Sequence, residues 1–362
     1  GASTHSVIVL SFECMQRGVG LPATEAALQL FATTANPVLA DSEVWLLTAG
    51  VHLPADCAGT SPIHAGAWGL ARSARQELLA AGFRCVDAGS EWPPALEAAI
   101  GISGSADACT AETEAALSST CAILVPRLSP HTPSEASRKL PSLVNVLTGG
   151  TGGLGLLTAR WLAQQGSRGV VLASRSGVLP MSGGGSGGAE CERLLASDAR
   201  VLTERCDAAE VSEARRLVST AWLALSAAVC GVWHAAGVLA DGILAQQSAV
   251  SLRRVYGPKA HGAAMLQHAC ATSVLHTCTL FSSVAALLGG GGQANYAAAN
   301  SCLDTHAAWR RVGGAVGVSV QWGAWAEVGM AARGAAAERM AAMEAASGVG
   351  RISLGQGLGA LE

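Results

Sequence analysis

Glycines at a fixed spacing follow an apolar segment near the middle of this chain, and they restrict what the flanking residues can form. Residues 143–148 are largely apolar, and residues 148–155 read Thr-Gly-Gly-Thr-Gly-Gly-Leu-Gly. Glycine permits a tight turn and the close approach of other backbone. A helical pattern over residues 156–165 comes next. Strand, glycine turn and helix in this order predict a βα unit of a parallel sheet.

The same alternation continues along the chain and predicts an α/β fold. Short apolar segments separated by helical ones recur at residues 143–148, 169–173, 200–205, 229–233, 275–282 and 316–321. Six such strands with helical crossovers predict a doubly wound, Rossmann-like parallel sheet. The glycine-rich segment 182–188 inside this region is expected to be a mobile surface loop.

The first third of the chain predicts a separate fold of the same class. Two apolar segments and one helical stretch alternate there, at residues 6–10, 44–48 and 65–81. This alternation indicates further βα units. Residues 129–134, which read Ser-Pro-His-Thr-Pro-Ser, interrupt regular structure and are a plausible linker. The predicted domains are therefore residues 1–138 and residues 139–362.

Composition and charge exclude several classes of partner and location. The formal net charge is −3 and 50% of the residues are hydrophobic, so neither nucleic acid nor a membrane is expected as a partner. No apolar run reaches the roughly 18 residues of a membrane span, and the N-terminus lacks the charged start of a signal peptide. The 11 cysteines form no Cys-x-x-Cys pair, which favours free thiols in a reducing, cytoplasmic compartment.

Two other kinds of site lack their sequence signals. His261, His268 and His276 recur along the chain, but the last lies in a strand candidate and no carboxylate motif accompanies them, so no metal site is expected. No Gly-x-Ser-x-Gly segment is present, so we expect no hydrolase nucleophile. The chain does not begin with methionine and stops within a helical pattern, which favours a segment of a longer polypeptide.

The glycine turn and the strand after it predict a dinucleotide site. The glycines of Gly150-x-Gly152-x-x-Gly155 let backbone approach a pyrophosphate, and the helix N-terminus supplies N–H groups and a positive dipole end. Arg175 stands at the offset where such folds contact the adenosine ribose. An acid there selects NAD, whereas arginine can bind a 2′-phosphate, so we expect NADPH. Later strand ends would add Asp207 facing the adenine and small residues at 235–237.

Lysine and tyrosine are scarce, and their positions indicate chemistry. The only lysines are Lys139 and Lys259, in a chain with 23 basic residues, and one of the two tyrosines is Tyr296. An ammonium is a compact charge that can lie against a phenol or a ribose hydroxyl, whereas guanidinium is a planar fork. Ser283 ends a strand candidate 13 positions before Tyr296. Lysine, serine and tyrosine held together would make a carbonyl-reducing site. We expect the ammonium to lower the pKa of Tyr296.

Six segments carry a family resemblance. They are residues 148–155, 173–177 (Ala-Ser-Arg-Ser-Gly), 234–239 (His-Ala-Ala-Gly-Val-Leu), 281–283 (Phe-Ser-Ser), 292–300 (Gly-Gln-Ala-Asn-Tyr-Ala-Ala-Ala-Asn) and 321–325 (Gln-Trp-Gly-Ala-Trp). In these segments the chain resembles short-chain dehydrogenases/reductases, and more closely the ketoreductase domains of modular polyketide synthases. A weaker likeness extends to residues 67–73. It implies that the N-terminal half is a structural subdomain, a truncated Rossmann-like fold. No Gly-x-Gly-x-x-Gly occurs between residues 1 and 138.

The resemblance implies roles for particular residues. The catalytic set would be Tyr296 as proton donor, Ser283, Lys259 and Asn300. Many short-chain reductases carry lysine four positions after the tyrosine, and this chain resembles the synthase type in having Asn300 there. The residues implied to hold NADPH are Gly150, Thr151, Gly152, Gly153, Leu154, Gly155, Ser174, Arg175, Cys206, Asp207, Ala235, Ala236, Gly237, Lys259, Tyr296, Trp322 and Gly323.

The resemblance also implies a stereochemical class and a substrate. Leu239-Ala240-Asp241 keeps one acid of the class that delivers a D-alcohol, although Ala240 departs from its pattern, and Leu288 replaces the tryptophan of the other class. A lid would come from residues 327–330, including Met330, and from a helix over 335–346, which alternatively packs against its own domain. The implied substrate is a 3-ketoacyl chain on the phosphopantetheine arm of an acyl carrier protein, among neighbouring synthase domains. Two alternatives stay open: a free-standing reductase of small ketones, and a redox-silent scaffold domain.

Overall fold

The computed structural model describes residues 7–11, 20–34, 42–52, 64–87, 112–117, 123–130, 143–180, 185–329, 338, 344 and 350–361. The chain divides into two compact units. The first unit comprises Gly1–His131, Ala240–Tyr256 and Ser282–Gly314, and the second comprises Thr132–Leu239, Gly257–Phe281 and Ala315–Glu362. Each unit contains one sheet. The domain boundary between residues 138 and 139 stays a prediction. The two sheets lie on either side of this boundary in the chain. However, two segments that follow it, Ala240–Tyr256 and Ser282–Gly314, belong to the first compact unit.

Strands and helices alternate along most of the described chain. The strands are β1 (Val7–Ser11), β2 (Glu43–Thr48), β3 (Gly82–Asp87), β4 (Glu114–Leu117), β5 (Ile123–Leu124), β6 (Val144–Thr148), β7 (Gly169–Ser174), β8 (Arg200–Arg205), β9 (Val229–His234), β10 (Thr277–Ser283) and β11 (Val318–Trp322). The helices are α1 (Leu21–Thr34), α2 (Ala65–Glu77), α3 (Gly153–Gln164), α4 (Gly185–Leu195), α5 (Val211–Leu225), α6 (Ala249–Tyr256), α7 (Gly262–Ala269), α8 (Val284–Leu288), α9 (Ala294–Val312) and α10 (Leu354–Gly359).

The first unit is built on a five-stranded sheet in the order β1-β2-β3-β4-β5. The pairs from β1 to β4 are parallel, and β5 runs antiparallel to β4. α1 lies between β1 and β2 in the chain, and α2 lies between β2 and β3. The predicted βα alternation of the N-terminal third is confirmed. α2 ends at Glu77, four residues before the predicted end.

The second unit is built on a six-stranded sheet in the order β11-β10-β9-β6-β7-β8. The pairs β6–β7, β7–β8, β6–β9 and β9–β10 are parallel. Chain order reverses at β6, where the sheet continues to β7 on one side and β9 on the other. Ligands of doubly wound folds bind outside the carboxyl ends of the strands at such a point. Thr148 of β6 and His234 of β9 stand opposite each other there. All six predicted strands and the predicted fold class are confirmed.

One apolar cluster packs α3 onto this sheet. Leu156 and Leu162 of α3 are buried with Leu147 and Leu172 of the sheet. Burying each of these leucines contributes about 1.5–3 kcal/mol before the loss of chain entropy. Because α3 is fixed in this way, its N-terminal turn is held at the carboxyl end of β6.

The glycine-rich segment 182–188 was expected to be a mobile loop, and that expectation is wrong for its second half. Residues 185–188 form the first turn of α4, while residues 182–184 lie outside the described chain. Leu194 of α4 is buried in the apolar cluster. Glu190, also buried, forms ion pairs with Arg160 and Arg193. Tertiary packing of this helix outweighs the low helix propensity of its glycines.

Candidate active site

The junction of β6 and α3 leaves no room for a side chain at Gly149 or Gly155. Gly149 adopts a left-handed φ of +69°, and a Cβ on it would stand 2.8 Å from the carbonyl carbon of Ala235. A Cβ on Gly155 would stand 2.3 Å from the carbonyl oxygen of Gly149. Gly152 is the N-cap of α3, and no side chain caps the N–H groups of the first helical turn. These donors and the helix dipole suit the pyrophosphate of a dinucleotide, so the residues present fit such a group.

Two predicted adenosine-side residues lie where β7 ends. Ser174 is partly buried, and its Oγ accepts a hydrogen bond from the N–H of Gly177 at 3.0 Å. Arg175 is exposed, and no hydrogen bond or ion pair of its guanidinium occurs within the described residues. Its charge is therefore not neutralised by a described carboxylate. This arrangement suits an anionic ligand.

The next strand end contributes Cys206 and Asp207. Cys206 is buried, and burial raises the pKa of its thiol to about 11, so the thiol stays protonated at neutral pH. Asp207 accepts a hydrogen bond from the N–H of Ala209 through Oδ1 at 3.0 Å. The carboxylate therefore supports the turn before α5. A contact with adenine stays a prediction.

Lys259 lies in a short π-helical turn, Gly257–His261, between α6 and α7. Such turns are rare and occur frequently at functional sites. The side chain is only 3% exposed, and its Nζ donates a hydrogen bond to the carbonyl oxygen of Phe281 at 2.9 Å. A Cβ on Gly237 would stand 2.9 Å from Cε of this lysine. Gly237 thus leaves the space that the lysine side chain occupies.

His234 connects the end of β6 to the π-helical turn, a role that was not predicted from the sequence. It is fully buried, with its Nδ1 2.6 Å from Oγ1 of Thr148 and its Nε2 2.9 Å from the carbonyl oxygen of Lys259. A carbonyl only accepts, so Nε2 donates, and Nδ1 of the neutral ring accepts from the threonine hydroxyl. A polar residue at the end of a buried strand was the available signal.

Tyr296 and Ser283 belong to the first compact unit. Ser283 ends β10, and its Oγ accepts a hydrogen bond from the N–H of Ala285 at 3.2 Å as the N-cap of α8. Tyr296 is partly buried in the first turn of α9. Ser283 and Asn300 both form side-chain hydrogen bonds with this tyrosine. The predicted serine, tyrosine and asparagine are therefore brought together.

Burial raises the pKa of Tyr296 above its usual value. The hydrogen bonds with Asn300 and Ser283 oppose the shift, and the negative charge of Asp241 adds to it. The expectation that a neighbouring ammonium lowers this pKa is therefore wrong for this structure. Desolvation and the charge of Asp241 together disfavour the phenolate more strongly than the two hydrogen bonds favour it. The tyrosine is held as a protonated phenol.

Asn300 is fully buried one helical turn after Tyr296. Its Nδ2 donates to the carbonyl oxygen of Tyr296 at 2.8 Å. Its Oδ1 is buried without a hydrogen-bond partner among the described residues. An unsatisfied buried acceptor costs about 1–3 kcal/mol. Asn300 therefore offers an acceptor beside the tyrosine.

α2 supports the segments around Tyr296 within the same unit. A Cβ on Gly69 would stand 2.4 Å from the carbonyl oxygen of Ala297. Nε2 of Gln76 donates to the carbonyl oxygen of Leu288 at 2.6 Å. The segment 67–73, which carried the weaker part of the resemblance, is therefore packed against the helix that bears the tyrosine.

The remaining predicted residues have different settings. Leu288 is 63% exposed at the end of α8, while Asp241 is partly buried. Trp322 ends β11 with its ring packed 5.6 Å from that of Phe281, and Gly323 follows it. Met330 and most of residues 335–346 lie outside the described chain.

In the described ranges, no three His, Cys, Asp or Glu side chains gather as a metal site. No described helix has the length and apolarity needed to cross a membrane.

Comparison with known proteins decides the family. A family model described as the KR domain matches residues 144–327, about half of the chain. The chain belongs to the ketoreductase (KR) domain family of modular polyketide synthases. The resemblance predicted from the six segments is confirmed. The family's chemistry is ketoreduction during polyketide synthesis with a nicotinamide cofactor, and this ketoreductase domain is an oxidoreductase of that kind.

Relatives identified by sequence match about half of this chain. Polyketide synthase GfsB of Streptomyces halstedii is 45% identical over 195 residues, 54% of this chain and 3% of that protein. Phthioceranic/hydroxyphthioceranic acid synthase of Mycobacterium tuberculosis is 39% identical over 197 residues, 54% of this chain and 9% of that protein. The ketoreductase domain thus spans less than a tenth of these relatives, which are much longer synthases.

Solved ketoreductases match almost the whole chain. The first ketoreductase of the tylosin polyketide synthase superposes with a TM-score of 0.82 at 28% identity, covering 99% of this chain and 74% of that one. A structure described as A-type ketoreductases from a modular polyketide synthase gives a TM-score of 0.80 at 31% identity, covering 92% of this chain and 68% of that one. The likeness therefore includes the N-terminal half.

Proposed function

We propose that this ketoreductase domain reduces a 3-ketoacyl thioester, carried on an acyl carrier protein, to the 3-hydroxyacyl thioester with NADPH. The observation that carries the proposal is the setting of Tyr296: a protonated phenol that interacts with the side chains of Ser283 and Asn300. A ketone becomes an alkoxide during reduction and needs a proton. A phenol kept protonated by burial can supply one at neutral pH.

The bound nicotinamide would supply a hydride to the ketone carbon. Tyr296 would donate its phenolic proton to the oxygen, and Ser283 would donate a hydrogen bond to that oxygen while its negative charge develops. After the transfer the tyrosine is a phenolate. The ammonium of Lys259 would hold the hydroxyls of the nicotinamide ribose. Asn300 would accept from a water or the substrate through its unsatisfied Oδ1.

NADPH rather than NADH is supported by Arg175. Arg175 lies directly after β7, where dinucleotide-binding folds contact the adenosine ribose. Its exposed guanidinium forms no ion pair with a carboxylate among the described residues. Guanidinium binds phosphate through paired N–H donors. The glycines of residues 149–155 would take the pyrophosphate, and residues 235–237 would let the cofactor lie against backbone.

Two further observations bear on the stereochemistry of the product and on the carrier of the substrate. Asp241 acts on Tyr296 through its charge, and Leu288 replaces the tryptophan of the opposite class, so we propose a D-alcohol. Known relatives are polyketide synthases, which supports a carrier protein and neighbouring synthase domains as partners. Described cysteines are free thiols, and a cytoplasmic location is consistent with them.

The test is NADPH consumption by the purified chain with 3-ketoacyl thioesters of N-acetylcysteamine and of a carrier protein. Tyr296→Phe should lower turnover by about 100-fold or more, since general acids contribute roughly 10²–10⁴. Tyr256→Phe is the matched control, because Tyr256 is fully buried and its hydroxyl contacts Cys302 and Thr24. NADPH binding without consumption of either thioester would contradict the proposal and favour a redox-silent scaffold.

A further inference from the structure

Arg205 is placed against the residue proposed to bind the cofactor's 2′-phosphate. β8 ends at Arg205, which stands opposite Ser174 in the register of β7 and β8. The N–H of Cys206 continues the pairing by donating to the carbonyl oxygen of Ser174 at 2.8 Å. Nε of Arg205 then donates to the carbonyl oxygen of Arg175 at 3.3 Å. The guanidinium of Arg205 is thus hydrogen-bonded to the backbone of Arg175.

A tight turn keeps these two residues adjacent. Gly177 adopts a left-handed φ of +65°, and a Cβ on it would stand 2.8 Å from the backbone nitrogen of Arg205. The hydroxyl of Ser174 closes the turn by accepting from the N–H of Gly177. The turn after β7 therefore packs directly on the end of β8. The neighbouring position of the two arginines is fixed by backbone as well as by side chains.

Neither guanidinium has a carboxylate partner among the described residues. The nearby Arg216 shows the contrast: its Nη1 lies 3.0 Å from Oε2 of Glu204, so its charge is compensated. Arg205 has only the Arg175 carbonyl as a described acceptor, and it is exposed. Both positive charges lie uncompensated at the carboxyl ends of neighbouring strands, and an anionic ligand bound there would be attracted to both.

We propose that Arg205 is a second guanidinium for the 2′-phosphate of NADPH, acting with Arg175 to select this cofactor over NADH. The inference rests on the proposed use of NADPH. A phosphate monoester carries about −1.5 to −2 charges at neutral pH, which one arginine cannot balance. The Nη groups of Arg205 are free of described acceptors and present paired donors suited to phosphate oxygens. Two guanidinium forks match the charge of the ligand.

The experiment measures calorimetric binding of adenosine 2′,5′-bisphosphate and adenosine 5′-monophosphate to the whole chain. Arg205→Ala should weaken the bisphosphate about tenfold, since a charged hydrogen bond of this kind is lost, and the monophosphate less than twofold. Arg205→Lys should recover only part of the loss. Arg215→Ala is the control: this exposed arginine of α5 has no described partner, so the net charge changes equally and both affinities should stay within twofold.

The possible outcomes distinguish the role of Arg205 from the proposed preference for NADPH. Equal bisphosphate binding by Arg205→Ala and Arg215→Ala, with wild type still preferring the bisphosphate, would overturn the role of Arg205 alone. A wild-type chain that binds both nucleotides equally would overturn the NADPH preference itself. Circular dichroism of each variant shows whether it is folded, and Arg205→Lys gives the answer if the alanine variant is not.

Discussion

The ammonium of Lys259 donates a hydrogen bond to the carbonyl oxygen of Phe281, 2.9 Å away. Phe281 lies two residues before Ser283 on β10, so the buried lysine is attached to the strand that ends in the proposed substrate-binding serine. Arginine occupies almost every basic position of this sequence. Lysine occurs at position 259, where the space beside Gly237 is narrow. The compact cation therefore has a structural as well as a chemical reason to be lysine.

Lys259→Arg should reduce turnover about 100-fold, because a planar guanidinium cannot take the same position and small misplacements at a reacting centre cost that much. The measurement is steady-state kinetics with NADPH and a 3-ketoacyl thioester. Lys139→Arg is the control for the general exchange of lysine for arginine. Equal kinetics for the two variants would contradict the role of Lys259.

Asp241→Asn should move the alkaline limit of ketone reduction to lower pH. Reduction needs the protonated phenol, so its rate falls as pH rises through the pKa of Tyr296. The charge of Asp241 raises that pKa, so removing the charge lowers it. Reverse oxidation of the alcohol needs the phenolate, and its rising limb should move the same way. Asp198→Asn, an exposed site, should leave both limbs unchanged; a shift in the opposite direction for Asp241→Asn contradicts the assignment.

Gly155→Ala should destabilise the fold by about 1–3 kcal/mol or more, as overpacking against rigid backbone does. Its added methyl would meet the Gly149 carbonyl at 2.3 Å. Gly355→Ala is the matched control, because no atom lies within 4 Å of a Cβ there and alanine suits α10 better than glycine. Thermal unfolding compares them. A melting temperature equal to that of the wild type for both variants would contradict the predicted overpacking at Gly155.

Thr148→Val should cost about 1–3 kcal/mol by leaving Nδ1 of His234 without its hydroxyl donor. The same substitution at Thr158, whose hydroxyl donates to the Leu154 carbonyl within α3, should cost less. Nitrogen NMR of the histidine ring gives a readout beyond stability. We expect the ring to carry its proton on Nε2 in wild type. A proton on Nδ1 would contradict the bridge from Thr148 to Lys259.

The sequence predicted the positions of the strands along the chain and the glycine turn, because periodicity and close backbone approach are local properties. Residues 148–155, 169–173 and 229–233 carry such signals, and the observed sheet confirms them. The ketoreductase resemblance was equally recoverable, since Tyr296 and its neighbours form a contiguous segment.

Features that depend on packing between distant segments were not predictable. The helix α4 over a glycine-rich segment needs Leu194 in the core. The bridging role of His234 needs two partners far apart in the chain. The direction of the Tyr296 pKa depends on how much water burial removes, which spacing between residues does not reveal.

Transfer of deuterium from NADPH labelled at the reactive C4 position would show directly whether this chain reduces a 3-ketoacyl thioester. The purified chain is incubated with a 3-ketoacyl thioester of a carrier protein, and the released product is analysed by mass spectrometry and chiral chromatography. We expect one deuterium at C3 of a D-configured 3-hydroxyacyl product, and about 100-fold less of this product or lower with Tyr296→Phe over the same time. Unlabelled ketone recovered in full, despite measured NADPH binding and a folded chain, would contradict the proposed reduction.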